Sequence, residues 1–302
     1  MAIRLSNYLK SIYGEKIYRL SLSSGCTCPN RDGSIVLPDG THLTGGCTFC
    51  SEGGSGEFAA EIATIDEQIE DAKKRIRNKT DARRFIAYFQ SYTNTYGDVE
   101  RLKKLYLETI QKDEIEILSI GTRPDCIGED VLEMLSELRK IKPVWVELGL
   151  QTIHEKSAEH FHRGYDLVTF EKSYKRLKAC DINVIVHVIF GLPGESYEDM
   201  LETVRYLSKM SPELDGIKLQ NLQILKGTQM YEEYKKKPFH ILSLEEHVQL
   251  LAESLKILPK NTVVHRMTGD GPRSLLIEPL WSLDKKHVLN TINRNVNSLF
   301  ET

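Results

Sequence analysis

Short apolar runs rich in β-branched and aromatic residues alternate along the chain with longer amphipathic stretches. The short runs are Ile17 to Ser23, Arg84 to Gln90, Ile115 to Ile120, Val144 to Leu150, Asn183 to Gly191 and Ile217 to Leu225. Between and after them lie segments of helical character: Ile65 to Asn78, Val99 to Gln111, Glu129 to Lys140, Leu167 to Cys180, Tyr197 to Met210 and Leu244 to Leu258. Strand followed by helix, repeated along the chain, predicts an α/β fold with a parallel sheet and crossover helices. VWVELGL and NVIVHVIFG are nearly continuous hydrophobic runs, as strands covered on both faces should be. Six βα units fit a sheet closed or partly closed into a TIM-like barrel. A doubly wound open sheet is the other arrangement, but no GxGxxG follows the first strand. The chain past Pro259 leaves the alternation. The expected organisation is a core over 1–258 and a C-terminal extension over 259–302, packed on that core.

Composition narrows the class. Lys plus Arg is 40 and Asp plus Glu is 43 in 302 residues, giving a net charge of −3, with 40% hydrophobic and 27% charged residues. These values exclude a disordered or collagenous chain. No apolar run reaches the roughly 18 residues of a membrane span. The N-terminal MAIRLSNYLK lacks the apolar stretch of a signal peptide. The expectation is a cytoplasmic protein with no membrane partner and reduced thiols. Its cysteines then raise the question of metal or redox chemistry.

Four of the six cysteines, Cys26, Cys28, Cys47 and Cys50, fall within 25 residues after the first strand. In parallel α/β folds that is the functional end of the sheet. The pattern is C-x-C, eighteen residues, then C-x-x-C. Four thiolates would close a tetrahedral structural zinc site. Three would leave one iron of a four-iron cluster open to a ligand. Spacing alone does not choose, and a buried thiol can also be a small core hydrophobe. Core filling is the expectation for Cys180 at a helix end, and a bland role for Cys126.

Several segments together resemble the radical S-adenosylmethionine (SAM) enzymes, in the branch typified by YhcC and YtqA, related to the radical SAM core of the elongator catalytic subunit. They are CPNRDG (Cys28 to Gly33), GGCTFC (Gly45 to Cys50), YFQSYTNTY (Tyr88 to Tyr96), TRPDC (Thr122 to Cys126), ELGLQT (Glu147 to Thr152), HRGYD (His162 to Asp166), HVIFGLPGE (His187 to Glu195), GIKLQNLQILKGTQM (Gly216 to Met230) and HRMTGDGP (His265 to Pro272). The resemblance implies a partial (β/α)6 TIM-like barrel of the radical SAM type. It implies Cys28, Cys47 and Cys50 as ligands of a [4Fe–4S] cluster, with Cys26 an extra thiol. SAM would bind the open iron and, on one-electron reduction, yield a 5′-deoxyadenosyl radical that takes hydrogen from substrate. A flavodoxin or ferredoxin would supply the electron.

The same resemblance suggests cofactor-binding roles. Arg163 stands where relatives bind the SAM carboxylate, Gln151 where they contact the ribose, and Phe49 inside the CxxC beside adenine. Gln90 and Ser91 follow the second strand, where others bind the SAM amine. Gly191 and Gly194 lie in the GLPGE segment that lines the adenine. Strand parity points Arg123, Glu147 and His187 toward the barrel interior or its rim. They are candidate catalytic residues, with a satisfied core polar pair as the plainer reading of Glu147 and His187.

Members of this branch are associated with tRNA wobble-uridine modification, turning a carboxymethylaminomethyl group into aminomethyl. The stretch Lys73 to Arg84 carries seven basic residues against one acidic, enough to contact RNA phosphates or to be a solvated helix face. Two other functions remain open at this point: radical chemistry on a small molecule or peptide, and a zinc-stabilised, non-catalytic binding protein.

Overall fold

A computed structural model describes residues 1–37, 39–54, 64–78 and 80–300. In chain order its elements are β1 (Ile3–Arg4), α1 (Leu5–Tyr13), β2 (Tyr18–Leu22), β3 (Asp32–Val36), β4 (His42–Thr44), α2 (Ile65–Ile76), β5 (Phe85–Phe89) and α3 (Val99–Ile110). Then follow β6 (Ile115–Thr122), α4 (Glu129–Arg139), β7 (Val144–Gln151), α5 (Glu155–His160), α6 (Leu167–Ala179), β8 (Asn183–Phe190) and α7 (Tyr197–Ser208). The chain finishes with β9 (Gly216–Asn221), β10 (Ile224–Leu225), α8 (Gln229–Lys236), α9 (Leu244–Ile257), β11 (Val263–Arg266), β12 (Leu276–Glu278) and α10 (Lys285–Val296).

The main sheet has eight strands in the order β1-β11-β9-β8-β7-β6-β5-β2, every neighbouring pair parallel. It is a curled half-barrel, open between β1 and β2, and the partial barrel expected from the alternation is what forms. All six anticipated strands are present. The run through Leu225 breaks after Asn221, because the Asn221 Oδ1 accepts the Gly269 amide at 2.7 Å and turns the chain away. Ile224–Leu225 then pairs antiparallel with β12. Two strands that the pattern did not reveal, β1 and β11, widen the sheet beyond β9. They hold two and four residues, too few to show a period. The last helix, α10, buries Val288, Ile292 and Val296 in the same core as α9.

Alternation along each strand sorts side chains into two sets. Outward residues such as Ala87, Leu118, Val146 and Val186 are buried under the helices. Several helices start on side-chain caps, with reciprocal boxes at Thr64–Glu67, Ser196–Asp199 and Ser243–Glu246. Inward residues stack in layers. The lowest layer is apolar: Ile86, Ile117, Trp145 and Ile185 pack with Leu9 and Ile17, so α1 plugs the bottom of the barrel. Two residues further along each strand the inward positions turn polar: Tyr88, Ser119, Glu147 and His187, with Lys218 on β9. At the mouth Gly121 and Gly149 take these positions, and their missing side chains leave room for a cavity.

The loop after β5 is held by Asn94, which is fully buried. Its Nδ2 donates to Phe89 O at 3.1 Å and Gly121 O at 2.8 Å, and its Oδ1 accepts from Ser24 at 2.6 Å. Asn94→Ala takes an acceptor from the Ser24 hydroxyl and a donor from each of two carbonyls, of which Gly121 O keeps the backbone N–H of position 94. It is expected to lower stability by about 2–3 kcal/mol, read as a shift of the urea midpoint; an unchanged midpoint contradicts this role.

Candidate active site at the mouth of the half-barrel

The eighteen residues between Cys28 and Cys47 form an excursion that returns to its start. β3 and β4 pair antiparallel, with Asp32 opposite Thr44. Below the hairpin, Gly46 N donates to Asn30 O at 2.9 Å. Gly46 has φ +90°, and a Cβ there would sit 2.9 Å from Arg31 Cγ, so the closure needs glycine. Asn30 then bridges the two cysteine segments. Its Oδ1 accepts from the Cys28 thiol at 2.8 Å, and its Nδ2 donates to Cys47 Sγ at 3.3 Å and to His162 O at 3.1 Å. Thr93 donates to Cys28 Sγ at 3.1 Å. The CxxC is clamped on both sides, since Thr48 N donates to Phe161 O at 3.0 Å and Met230 N donates to Thr48 O at 2.8 Å.

Cys28, Cys47 and Cys50 line one cavity of about 270 Å³ at the C-terminal ends of the strands. A hydrogen bond from Cys50 brings the Cys47 thiol down to about 7, and the same contact pushes Cys50 well above its ordinary value. Burial raises Cys28, with Arg123 and Thr93 opposing. Three soft sulfur donors, met by a hydroxyl and an amide, suit an iron–sulfur cluster and supply sulfur-directed hydrogen bonds of the kind that tune one. Cys26 turns the other way. It is buried against Arg101, whose Nη2 lies 3.4 Å from its sulfur, and belongs to the hydrophobic core. A closed four-thiolate zinc site is therefore not assembled by this cluster.

Phe49, Gln90, Gln151, Arg163, Arg123, Glu147 and His187 also line the cavity. Phe49 packs on Phe161 with ring centroids 5.3 Å apart. Gln151 closes β7 with φ +65° and takes a hydrogen bond from Tyr165 OH at 3.4 Å. Arg163 is fully buried and mostly engaged within the protein. It donates to Leu150 O, Thr152 O and Tyr165 O at 2.7–3.1 Å and pairs with Glu155 at 3.0 Å. Those contacts use four of its five N–H bonds, so it braces the β7–α6 connection. Arg123 forms a two-bond pair with Asp125 at 2.9 and 2.7 Å and lies over Tyr165. Ser91, Gly191 and Gly194 are not among the residues that line the cavity. Gly191 turns with φ +87° under Leu242.

The polar layer below the mouth is richer than sequence parity suggested. The Glu147 carboxylate, fully buried, accepts from His187 Nε2 at 2.8 Å and Ser119 Oγ at 3.0 Å, ion-pairs with Lys218, and lies 3.4 Å from Arg19. Lys218 also donates to Tyr88 OH at 3.0 Å, and Arg19 contacts His265 Nδ1 at 2.8 Å. Burial alone would raise the Glu147 carboxyl, but Lys218 and Arg19 outweigh it and hold Glu147 well below its ordinary value. Burial and Lys218 bring His187 down to about 4, so it is neutral at pH 7. Its Nε2–H faces the carboxylate. Arg19, Tyr88, Lys218 and His265 were missed by sequence reasoning. A lysine inside the apolar run GIKLQN carries the signal that marks Glu147, a charge where burial is costly.

The basic stretch that begins in the last turn of α2 is partly neutralised. Lys73 pairs with Glu70 and Glu114, Arg75 with Asp71 at 2.6 Å, and Arg84 with Glu116 at 2.7 Å. Lys79 lies outside the described residues. No helix among the described residues is long and apolar enough to cross a membrane.

A parallel half-barrel with a cysteine-lined mouth defines a class of cofactor-dependent enzymes, and comparison with known proteins identifies which. Residues 44–207 match the radical SAM superfamily model, and residues 214–298 match the radical SAM C-terminal domain. Bacillus subtilis YtqA is 39% identical over 295 residues, covering 97% of this chain and 89% of that protein. The tRNA uridine(34) acetyltransferase of Methanocaldococcus jannaschii is 27% identical over 164 residues, 53% of this chain but only 29% of that protein. Among solved structures, Methanocaldococcus infernus Elp3 with an N-terminal deletion superimposes with a TM-score of 0.66 at 18% identity, over 77% of this chain and 58% of that one. The chain belongs to the radical SAM superfamily, enzymes that use a [4Fe–4S] cluster and SAM. This membership sets aside a non-catalytic zinc protein.

The Glu147 network makes two predictions. Glu147→Ala leaves Lys218 and Arg19 without their carboxylate and should cost about 3–5 kcal/mol in urea unfolding, whereas Glu147→Leu with Lys218→Met should recover most of that. Acid should destabilise the wild type in two stages. Below about pH 6.5 the unfolded chain takes a proton that His187, held at about 4, refuses in the folded state. Below about pH 4.5 the unfolded carboxyl protonates while Glu147 stays ionised. Glu147→Gln should lose the second stage; an unaltered acid limb in that variant contradicts the network.

Proposed function

We propose that this radical SAM enzyme acts on the wobble uridine of tRNA, converting a carboxymethylaminomethyl substituent to aminomethyl: the glycine-like CH2 would lose two electrons, with SAM as the oxidant, to give an imine that water cleaves to the amine and glyoxylate. The observation that carries the reading is the similarity to a tRNA uridine(34) acetyltransferase, 27% identical across 164 residues, about half of this chain. Sulfur donors at the mouth and a cationic layer below suit a substrate that enters past the cofactor with a negative group leading.

In this reading Cys28, Cys47 and Cys50 hold the cluster, and Asn30 and Thr93 hydrogen-bond to the sulfurs. Bound there, the cluster and SAM supply the capacity to remove a hydrogen atom from an unactivated carbon. The chain's own residues orient and shield. Phe49, Gln90, Arg123 and Gln151 line the cavity; Phe49 and Gln151 would flank the nucleotide, Gln90 would face its amino-acid end, and Arg123 would offer a cation to its carboxylate. Glu147 fixes the ring of His187 by holding Nε2–H, so His187 presents its Nδ1 lone pair as a hydrogen-bond acceptor for a substrate N–H. A flavodoxin- or ferredoxin-type protein supplies the electron.

Anaerobic reconstitution tests both levels. Wild type and Cys26→Ala should each hold about four iron atoms per chain, while Cys28→Ala, Cys47→Ala and Cys50→Ala should hold little iron and release no 5′-deoxyadenosine. Full iron in Cys28→Ala with loss in Cys26→Ala would reverse the ligand assignment. With SAM, a reductant and tRNA bearing carboxymethylaminomethyluridine, nucleoside mass spectrometry should show aminomethyluridine. Radical formation without any change in that nucleoside moves the substrate to another class.

A further inference from the structure

The layer below the mouth carries more positive charge than its own carboxylate can answer. Arg266 and Lys218 are partners in register across β11 and β9, and His187 pairs with Lys218 on the other side. All three line the cavity. Glu147 already serves Lys218, Arg19 and His187. Arg266 has no hydrogen-bond or ion-pair partner among the described residues. The other acidic residue lining the cavity, Asp270, is engaged by Lys285 at 2.5 Å. A guanidinium beside the buried Lys218–Glu147 pair, with no carboxylate of its own, leaves a place for a second anion.

Depth says which anion. Arg266 and Lys218 lie level with His187 and, across β7, with Gly149, two residues and about 7 Å below Gln151 at about 3.3 Å per residue, with Glu147 two residues deeper. A cofactor tied to the cysteines at the mouth leaves this layer to the substrate. The whole cavity measures about 270 Å³, and a cofactor at the mouth leaves only part of it free. That favours a slender carboxylate arm over a nucleotide phosphate.

We propose that Arg266 and Lys218 form an anion subsite in the floor of the cavity that takes the carboxylate of a substrate –NH–CH2–COO⁻ arm. The inference rests on the wobble-uridine reading for the identity of that arm. Arg266 offers a planar fork for the two carboxylate oxygens, and Lys218 adds a point charge from the adjoining strand. The CH2 next to the anchored carboxylate is then held between the subsite and the cofactor mouth.

The test uses the reconstituted holoenzyme with saturating SAM and follows thermal stability. N-methylglycine, which carries the same arm, should raise the melting temperature of the wild type. N-methylaminoethanol, with an alcohol in place of the carboxylate, should not. Arg266→Gln should weaken the N-methylglycine response about tenfold or more, and Arg266→Lys should restore part of it. With tRNA, Arg266→Gln should raise KM for carboxymethylaminomethyl-tRNA more than it lowers kcat. No response of the wild type up to 50 mM ligand (roughly the reach of a single fragment) overturns the subsite. So does an equal response in Arg266→Gln, inorganic phosphate competing better than the carboxylate, or saturating SAM abolishing the response. An Arg266-dependent N-methylglycine response together with unmodified tRNA supports the subsite while overturning the wobble-uridine reading. Modified tRNA with no Arg266 dependence does the reverse.

Discussion

Three thiols must meet although eighteen residues separate the first from the second. Everything at the mouth follows from how the chain meets that constraint. β3 and β4 fold the separation into a hairpin, Gly46 permits its closure, and the Asn30 amide reaches both sulfur-bearing segments. Backbone hydrogen bonds on either side of Thr48 then fix the CxxC between the α5 end and α8. The compact spacing that other cluster proteins write into consecutive residues is here built in three dimensions.

Beneath that mouth the half-barrel interior is graded. The floor is apolar and plugged by α1, the middle layer is charged, and the top is opened by glycines. The middle layer is held together by one carboxylate. Glu147 joins side chains from β2, β6, β8 and β9, so the same group that stabilises the curl of the sheet also sets the electrostatics of the cavity. A buried charge with several partners adds specificity of geometry more than net stability. Its presence in an interior that hydrocarbon could fill points to function.

Much of this was legible in the sequence. Strand and helix alternation gave the partial barrel, because continuous apolar runs such as NVIVHVIF have few other fates. Glu147 and His187 stood out as charges inside such runs. Other features were not legible, for identifiable reasons. C-x-C spacing puts Cys26 and Cys28 on nearly equal footing, and only the packing of Cys26 against Arg101 and the core separates them. Arg163 reads as a cation for a ligand until its carbonyl partners are seen. The basic stretch near α2 reads as a run of unpaired cations until Glu114, in the turn before β6, and Glu116, in β6, are seen to pair with Lys73 and Arg84. β11 is four residues long, too short for a period, yet it carries Arg266 into the cavity. In each case the missing information was a long-range contact.

The central claim is that Cys28, Cys47 and Cys50 hold a cluster with one corner open toward the cavity. Electron paramagnetic resonance of the anaerobically reconstituted, dithionite-reduced protein, recorded before and after SAM is added, tests it most directly. The account predicts the signal of a reduced four-iron cluster whose g-values shift when SAM binds. A signal that SAM leaves unchanged, or a protein that takes up no labile sulfide, would contradict it.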